Sequence, residues 1–207
     1  MKIVLATGNQ GKVNEIKAIL QDLDVEVLSL KDFPEIDEIV EDGATFAENA
    51  IKKAKAVTEA TGLVAVADDS GLEVDYLDGA PGIYSARFAG EDKDDVANNM
   101  KLLGLMEGAP DDQRTARFRC VIAVTTPCGD VFTAKGACIG IIGDEIKGNK
   151  GFGYDPLFYL PEYDRTFAEL DPGIKNKISH RGRALAQMKS VLADVLERVE
   201  MEQCGLG

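Results

Sequence analysis

Five apolar residues in a row, Leu63 to Ala67, run directly into Asp68-Asp69-Ser70-Gly71. A stretch without polar alternation has no face to turn to water, so it reads as a buried central strand. The rest of the chain supplies the alternating strands and helices of an α/β fold. A short apolar run at Ile3–Ala6 passes through Thr7-Gly8-Asn9-Gln10-Gly11-Lys12 into a helical period of Val13, Ile16, Leu20 and Leu23. Val25 to Leu28 reads as a second strand. A second helix is expected to open at Thr45-Phe-Ala-Glu48, a capping-box pattern, to carry Phe46, Ala50, Ala54, Val57 and Thr61 on one stripe, and to stop at Gly62. A third is expected over roughly 94 to 106, with Val96, Met100 and Leu103 inward. Arg117 to Thr125 alternates and, across a turn at Pro127 to Asp130, returns as a strand from Val131 to Ile142. A hairpin inside an α/β pattern predicts a mixed sheet. After Leu157-Phe-Tyr-Leu, a last helix from near Ser179 carries Leu185, Met188, Leu192, Val195 and Val199.

With 207 residues, 45% hydrophobic and 29% charged, one folded domain is expected over 1–207, the residues after about 199 forming a C-terminal tail. The net charge of −13 argues against a broad nucleic-acid or membrane partner. The acids crowd the 22–48 stretch, ten against Lys31, while 173–189 holds five bases and no acid. The single histidine, His180, excludes a multi-histidine metal site. Cys120, Cys128, Cys138 and Cys204 form no C-x-x-C pair, which fits reduced thiols in a reducing compartment. No apolar stretch has membrane-spanning length, and the N-terminus lacks the long apolar region of a signal peptide, so a cytoplasmic location is expected.

Several segments carry candidate chemistry. Thr7 to Lys12, between a strand and a helix, reads as a phosphate cradle in which N–H groups and Lys12 meet an anion, or as an ordinary tight turn. It lacks Walker A spacing. Asp68 and Asp69 at the end of a buried strand suit a hard divalent cation, or are two solvated caps. Neighbours on a strand point to opposite faces, so both serve one site only if the chain turns, for which Ser70-Gly71 has the composition. Glu41 could add a further ligand or be one surface acid among many. Phe152, between Gly151 and Gly153, offers a flat face to a base, whereas Tyr154 reads as a buried aromatic in a turn. Ser179-His180-Arg181 looks like a capped helix start inside the basic cluster.

Taken in order, Thr7-Gly8-Asn9-x-x-Lys12, Asp68-Asp69-Ser70-Gly71-Leu72, Gly82-Ile-Tyr-Ser-Ala-Arg87, Phe152-Gly-Tyr-Asp-Pro156 and Ser179-His-Arg181 resemble the non-standard purine nucleoside triphosphate pyrophosphatases, the inosine/xanthosine triphosphate pyrophosphatase family. The likeness runs from residue 3 to about 196. It implies an elongated α/β protein with a central mixed sheet, two lobes and a substrate cleft between them. It implies a homodimer that hydrolyses ITP, dITP or XTP to the monophosphate and pyrophosphate with Mg²⁺, cleansing the nucleotide pool. By the same resemblance Asp69 is the general base, and Glu41 and Asp69 hold the metal with Asp68 close by. Thr7, Gly8, Asn9, Gln10, Gly11 and Lys12 cradle the triphosphate. Ser70, Phe152, Gly153, Tyr154, Asp155, Lys175, His180 and Arg181 contact substrate. Two other readings compete: an aspartate-dependent phosphatase that releases inorganic phosphate, which adjacent aspartates fit poorly, and a nucleotide-binding sensor without turnover.

Overall fold

The computed structural model describes residues 1–203, with side chains through 199; Cys204 and the end of the expected tail lie outside the described residues. The order is β1 (Lys2–Leu5), α1 (Gln10–Ile19), β2 (Glu26–Ser29), α2 (Phe46–Thr61), β3 (Val64–Val74), α3 (Asp95–Leu105), β4 (Thr115–Thr125), β5 (Val131–Ile142), β6 (Phe158–Leu160), β7 (Arg165–Thr166), α4 (Pro172–Ile178) and α5 (His180–Gln203). Seven strands form one sheet in the order β2-β1-β3-β4-β5-β6-β7. β1 is parallel to β2 and β3, whereas β5–β6 and β6–β7 are antiparallel. The sheet is therefore mixed, as the predicted hairpin requires.

Two compact units share these strands. The first comprises Met1–Asp69, Cys120–Gly136 and the described residues from Arg181 onward. Its sheet is buried on both faces. Ile3, Leu5, Val64, Val66, Ile122 and Val124 pack with Val13 and Ile16 of α1 and with Leu185, Met188, Leu192 and Val195 of α5. On the other face Val4, Ala65, Ala67 and Ala123 meet Ala50, Ala54 and Val57 of α2. Burying such side chains contributes about 25 cal/mol per Å² of apolar surface, which is what holds helices to both sides. α2 starts as expected, with Thr45 Oγ1 accepting from the Glu48 N–H at 3.1 Å, and stops at Gly62 with φ +67°. The Glu48 carboxylate reaches one residue further back than a capping box would, accepting from the Ala44 N–H at 2.8 Å.

The second unit comprises Ser70–Arg119 and Ala137–His180. Its core joins Leu72, Leu102, Met106 and Leu157 to an aromatic group. Phe118 and Phe158 have ring centroids 4.7 Å apart, and Phe158 and Phe167 4.9 Å.

Two expectations need correction. β3 does not turn at Ser70-Gly71: it runs on to Val74, because Leu72 and Val74 are fully buried and reward an unbroken strand. On α3, Val96 and Met100 face solvent, 69% and 58% exposed, while Asn98, Asn99 and Leu102 face inward. Hydrogen bonding overrides the apolar period there. Asn98 accepts from the Ala89 N–H at 2.6 Å and donates to the Ala86 carbonyl at 3.1 Å, so its polar group is satisfied while buried.

Candidate active site

In the first unit, β1 delivers the chain to the N-terminus of α1. Asn9 caps that helix, its Oδ1 accepting from the Lys12 N–H at 3.0 Å, and Thr7 Oγ1 accepts from the Asn9 N–H at 3.2 Å. Helix geometry gives the Gln10 and Gly11 N–H groups no intrahelical acceptor. The first turn carries no acid, and a side chain added at Gly8 would meet nothing within 4 Å. The turn therefore presents N–H donors and the positive end of the helix dipole to open space. The Gln10 side chain points elsewhere, to Asn14 and Lys31.

Asp68 and Asp69 follow strand alternation. Asp68 is fully buried and ion-paired to Lys12 and, at 3.1 Å, to Arg181 Nε; the Cys120 thiol donates to it at 3.0 Å. Burial pushes its pKa up, but the charges of Arg181 and Lys12 outweigh burial and hold it well below the usual carboxylate range. Arg181 is itself buried and also paired with Glu15 of α1; burial opposes its charge, yet Asp68 and Glu15 raise its pKa. Asp68 is thus an anion neutralised by two cations.

Asp69 enters a different network. Lys53 Nζ stands 3.0 Å from its Oδ1, and Asn49 Nδ2 donates to Oδ2 at 3.3 Å. Lys53 also donates to the Asp68 carbonyl at 2.8 Å and pairs with Glu41 at 3.1 Å. Burial raises the Asp69 pKa. Lys53 pulls it back, and a hydrogen bond with Glu41 raises it further, leaving it pushed up to about 6. Burial raises Glu41 too, but Lys53 and the same hydrogen bond lower it overall. Of the two carboxyls Glu41 therefore ionises first, and Asp69 is the more basic. Lys53 stays charged despite its burial because Asp69, Glu41 and Asp68 raise its pKa.

Sequence reasoning missed Asn49 and Lys53, naming only the apolar stripe of α2. The signal was there: each directly precedes an inward alanine, Ala50 and Ala54, and the two are four residues apart on one helix edge. Asn49 also ties the acidic connector to α2, its Oδ1 accepting from the Gly43 N–H at 2.8 Å. A Cβ at Gly43 would sit 2.7 Å from that oxygen, so the approach requires glycine.

In the second unit, the loop before β6 brings Phe152, Asp155 and Lys175 together. Asp155 Oδ2 accepts from the Phe152 N–H at 3.0 Å and from Lys175 Nζ at 2.5 Å. Lys175 Nζ lies 5.1 Å from the centre of the half-buried Phe152 ring. A Cβ at Gly151 would overlap Asp155 Oδ2 at 1.9 Å, and Gly151 has φ +77°. Tyr154 is the buried aromatic expected, its hydroxyl donating to the Ser85 carbonyl at 2.8 Å. Ser85 in turn accepts from the Leu72 N–H at 2.8 Å. His180 is stacked on Phe118, centroids 4.6 Å apart. Ser70 is half-buried, within β3.

A sequence model of the Ham1 family matches residues 3–191. A dITP/XTP pyrophosphatase of Desulforamulus reducens is 62% identical over 192 residues, 93% of this chain and 96% of that protein. Another of Geobacter sulfurreducens is 54% identical over 92% of this chain and 96% of its own length. Among solved structures, a HAM1 protein from Coxiella burnetii superposes with a TM-score of 0.84 at 44% identity, covering 94% of this chain and 99% of that one. The Ham1 protein of Staphylococcus aureus gives 0.82 at 43% identity, over 93% and 98%.

Proposed function

The chain belongs to the Ham1 family, and on that basis we propose that it hydrolyses non-standard purine nucleoside triphosphates, ITP, dITP and XTP, to the monophosphate and pyrophosphate. The naming of close relatives as dITP/XTP pyrophosphatases supports the substrate class. The observation that carries the chemistry is the Asp69 carboxyl, buried, bonded to Glu41 and pushed up to about 6. A base with that pKa is ionised at neutral pH and still holds a proton well, the balance general-base catalysis needs.

In the reaction, Thr7, Gly8, Asn9, Gln10, Gly11 and Lys12 hold the triphosphate. Asp69 takes a proton from a water whose oxygen attacks the α-phosphorus. The bridging P–O bond breaks and pyrophosphate leaves. Lys12 and Lys53 offset charge that builds on the phosphates. Glu41 and Asp69 suit a magnesium ion: two converging hard-oxygen ligands are what Mg²⁺ takes from a protein when phosphates and waters complete its shell. When bound, that ion would supply further charge neutralisation of the phosphate oxygens. Asp68, held by two cations, is better suited to fixing Lys12 and Arg181 than to ligation. Base selection falls to Ser70, Phe152 to Asp155, Lys175, His180 and Arg181. Donors that meet a 6-oxo group would face the amino group of adenine, and unpaired buried donors discriminate strongly.

Incubation with ITP and Mg²⁺, followed by product identification, tests the proposal. IMP with pyrophosphate is expected, and chelation of the metal should stop turnover. Inorganic phosphate as first product would favour the aspartate-dependent phosphatase, and unchanged ITP the sensor. Light scattering on the eluted protein tests the homodimer implied by the family resemblance, and fractionation of cells the cytoplasmic location.

A further inference from the structure

Phe152 sits in a loop whose neighbouring glycines, Gly151 and Gly153, have φ of +77° and +60°. Such a loop samples many conformations unless held from outside. It is held by α3. The Gly153 N–H donates to Asp95 Oδ2 at 2.7 Å, and the Gly153 carbonyl accepts from Asn99 Nδ2 at 2.8 Å. Asp95 and Asn99 are four residues apart, one turn of the same helix, so a rigid element grips both peptide planes that flank Gly153. Asn99 is itself locked, its Nδ2 also donating to the Asp95 carbonyl at 2.7 Å. Its Oδ1 is buried with no hydrogen-bond partner among the described residues. A buried orphan acceptor is normally selected against, and turning the amide over to rescue it would set an oxygen against two carbonyls. The arrangement keeps the grip on Gly153 at the expense of that oxygen.

We infer that Asp95 and Asn99 are positioning residues of the pyrophosphatase, fixing the Gly151–Asp155 loop so that Phe152 presents its ring to the purine in one orientation. Neither residue touches the reacting atoms. The inference rests on the reading that Phe152 to Asp155 contact the base. It also gives a reason for α3 to turn Asn99 inward.

The test uses the full chain with Mg²⁺ and compares Asp95→Ala, Asp95→Asn, Asn99→Asp and Phe152→Ala. Asp95→Ala and Asn99→Asp should raise KM for ITP about five- to ten-fold, the worth of one hydrogen bond, with kcat little changed. They should also erode preference for ITP over ATP. Asp95→Asn keeps an acceptor for the Gly153 N–H and should restore most of the parent KM. The chain has no tryptophan, so Phe152→Trp places a single tryptophan in the loop, excited selectively at wavelengths where tyrosine does not absorb. Its anisotropy should decay faster when Asp95→Ala is added. Asp95 is exposed, so its replacements leave the core intact even if Asn99→Asp fails to fold. If Phe152→Ala raises KM but Asp95→Ala moves neither KM, selectivity nor anisotropy, the positioning role is overturned and the base contact stands. If Phe152→Ala itself changes nothing, the base contact falls and the positioning role with it.

Discussion

The side chains of Asp68 and Asp69 leave β3 on opposite faces and end in separate ion-pair networks. Asp68 lies on the face of Val64 and Val66, toward α1 and α5, and meets Lys12, Arg181 and Cys120. Asp69 lies on the face of Ala65 and Ala67, toward α2, and meets Lys53, Asn49 and Glu41. One network holds its carboxyl well below the usual carboxylate range, and the other pushes its carboxyl up to about 6.

Replacing Asp69 separates its two roles. Asp69→Asn should lower turnover about 10²–10⁴-fold, the usual contribution of a general base, while nucleotide binding persists. Its effect on stability has the opposite sign. A carboxyl whose pKa rises from 3.8 to about 6 on folding holds its proton more tightly when folded, so the metal-free protein loses stability as pH rises between those values. The substitution should therefore stabilise the metal-free protein above pH 6, by up to about 3 kcal/mol, and leave it unchanged near pH 4. Urea unfolding at both pH values with a chelator present measures this; equal effects at the two would refute it.

Asp68 behaves conversely. Its folded pKa is depressed, so its contribution is fully present above the ordinary carboxylate pKa and fades as pH falls toward the folded value. Asp68→Asn leaves Arg181 and Lys12 buried beside a neutral amide and should cost about 3–5 kcal/mol at pH 7. The gap between parent and variant should narrow once pH drops below about 4. A constant gap across an acid titration of unfolding free energy would count against this account.

Lys53→Met removes the cation that Asp69, Glu41 and the Asp68 carbonyl share. Stranding a buried charge costs about 3–5 kcal/mol, and the deficit should be larger at pH 8 than at pH 5, because both carboxyls are ionised at the higher pH. Thermal melts of the metal-free protein at the two pH values test it. A deficit independent of pH would mean that Lys53 acts through packing alone.

Cys120 should resist thiol reagents in the native protein. Burial pushes its pKa well up and the charge of Asp68 adds to that, so little thiolate forms. Peptide mapping after brief iodoacetamide treatment should find the exposed Cys128 alkylated and Cys120 untouched until the protein unfolds. Early labelling of Cys120 would show that β4 opens locally.

Much of this molecule is legible in its sequence because burial writes a periodic signal. The β3 run, the α1 and α5 stripes and the hairpin of β4 and β5 all declare themselves, β5 with its ends as expected. The turn from Thr7 to Lys12 and the paired aspartates stand out for the same reason, as polar motifs that follow apolar runs. What stayed hidden depends on partners distant in sequence. Lys53 looks like any helix lysine until Glu41 and Asp69 are placed around it. Val96 and Met100 look like core until Asn98 and Asn99 find backbone partners. β7 is two residues long and α4 seven, both too short for a period to develop.

The alternation of β3 makes the chemistry depend on parity. Inserting one residue between Val64 and Asp68 would shift every later side chain to the other face, handing the α2 network the carboxylate meant for Arg181. Inserting two would restore the assignment at the cost of register against β1. This strand should accept exchanges among small apolar residues and refuse odd changes in length, so its inheritance is constrained less by which residues it contains than by how many.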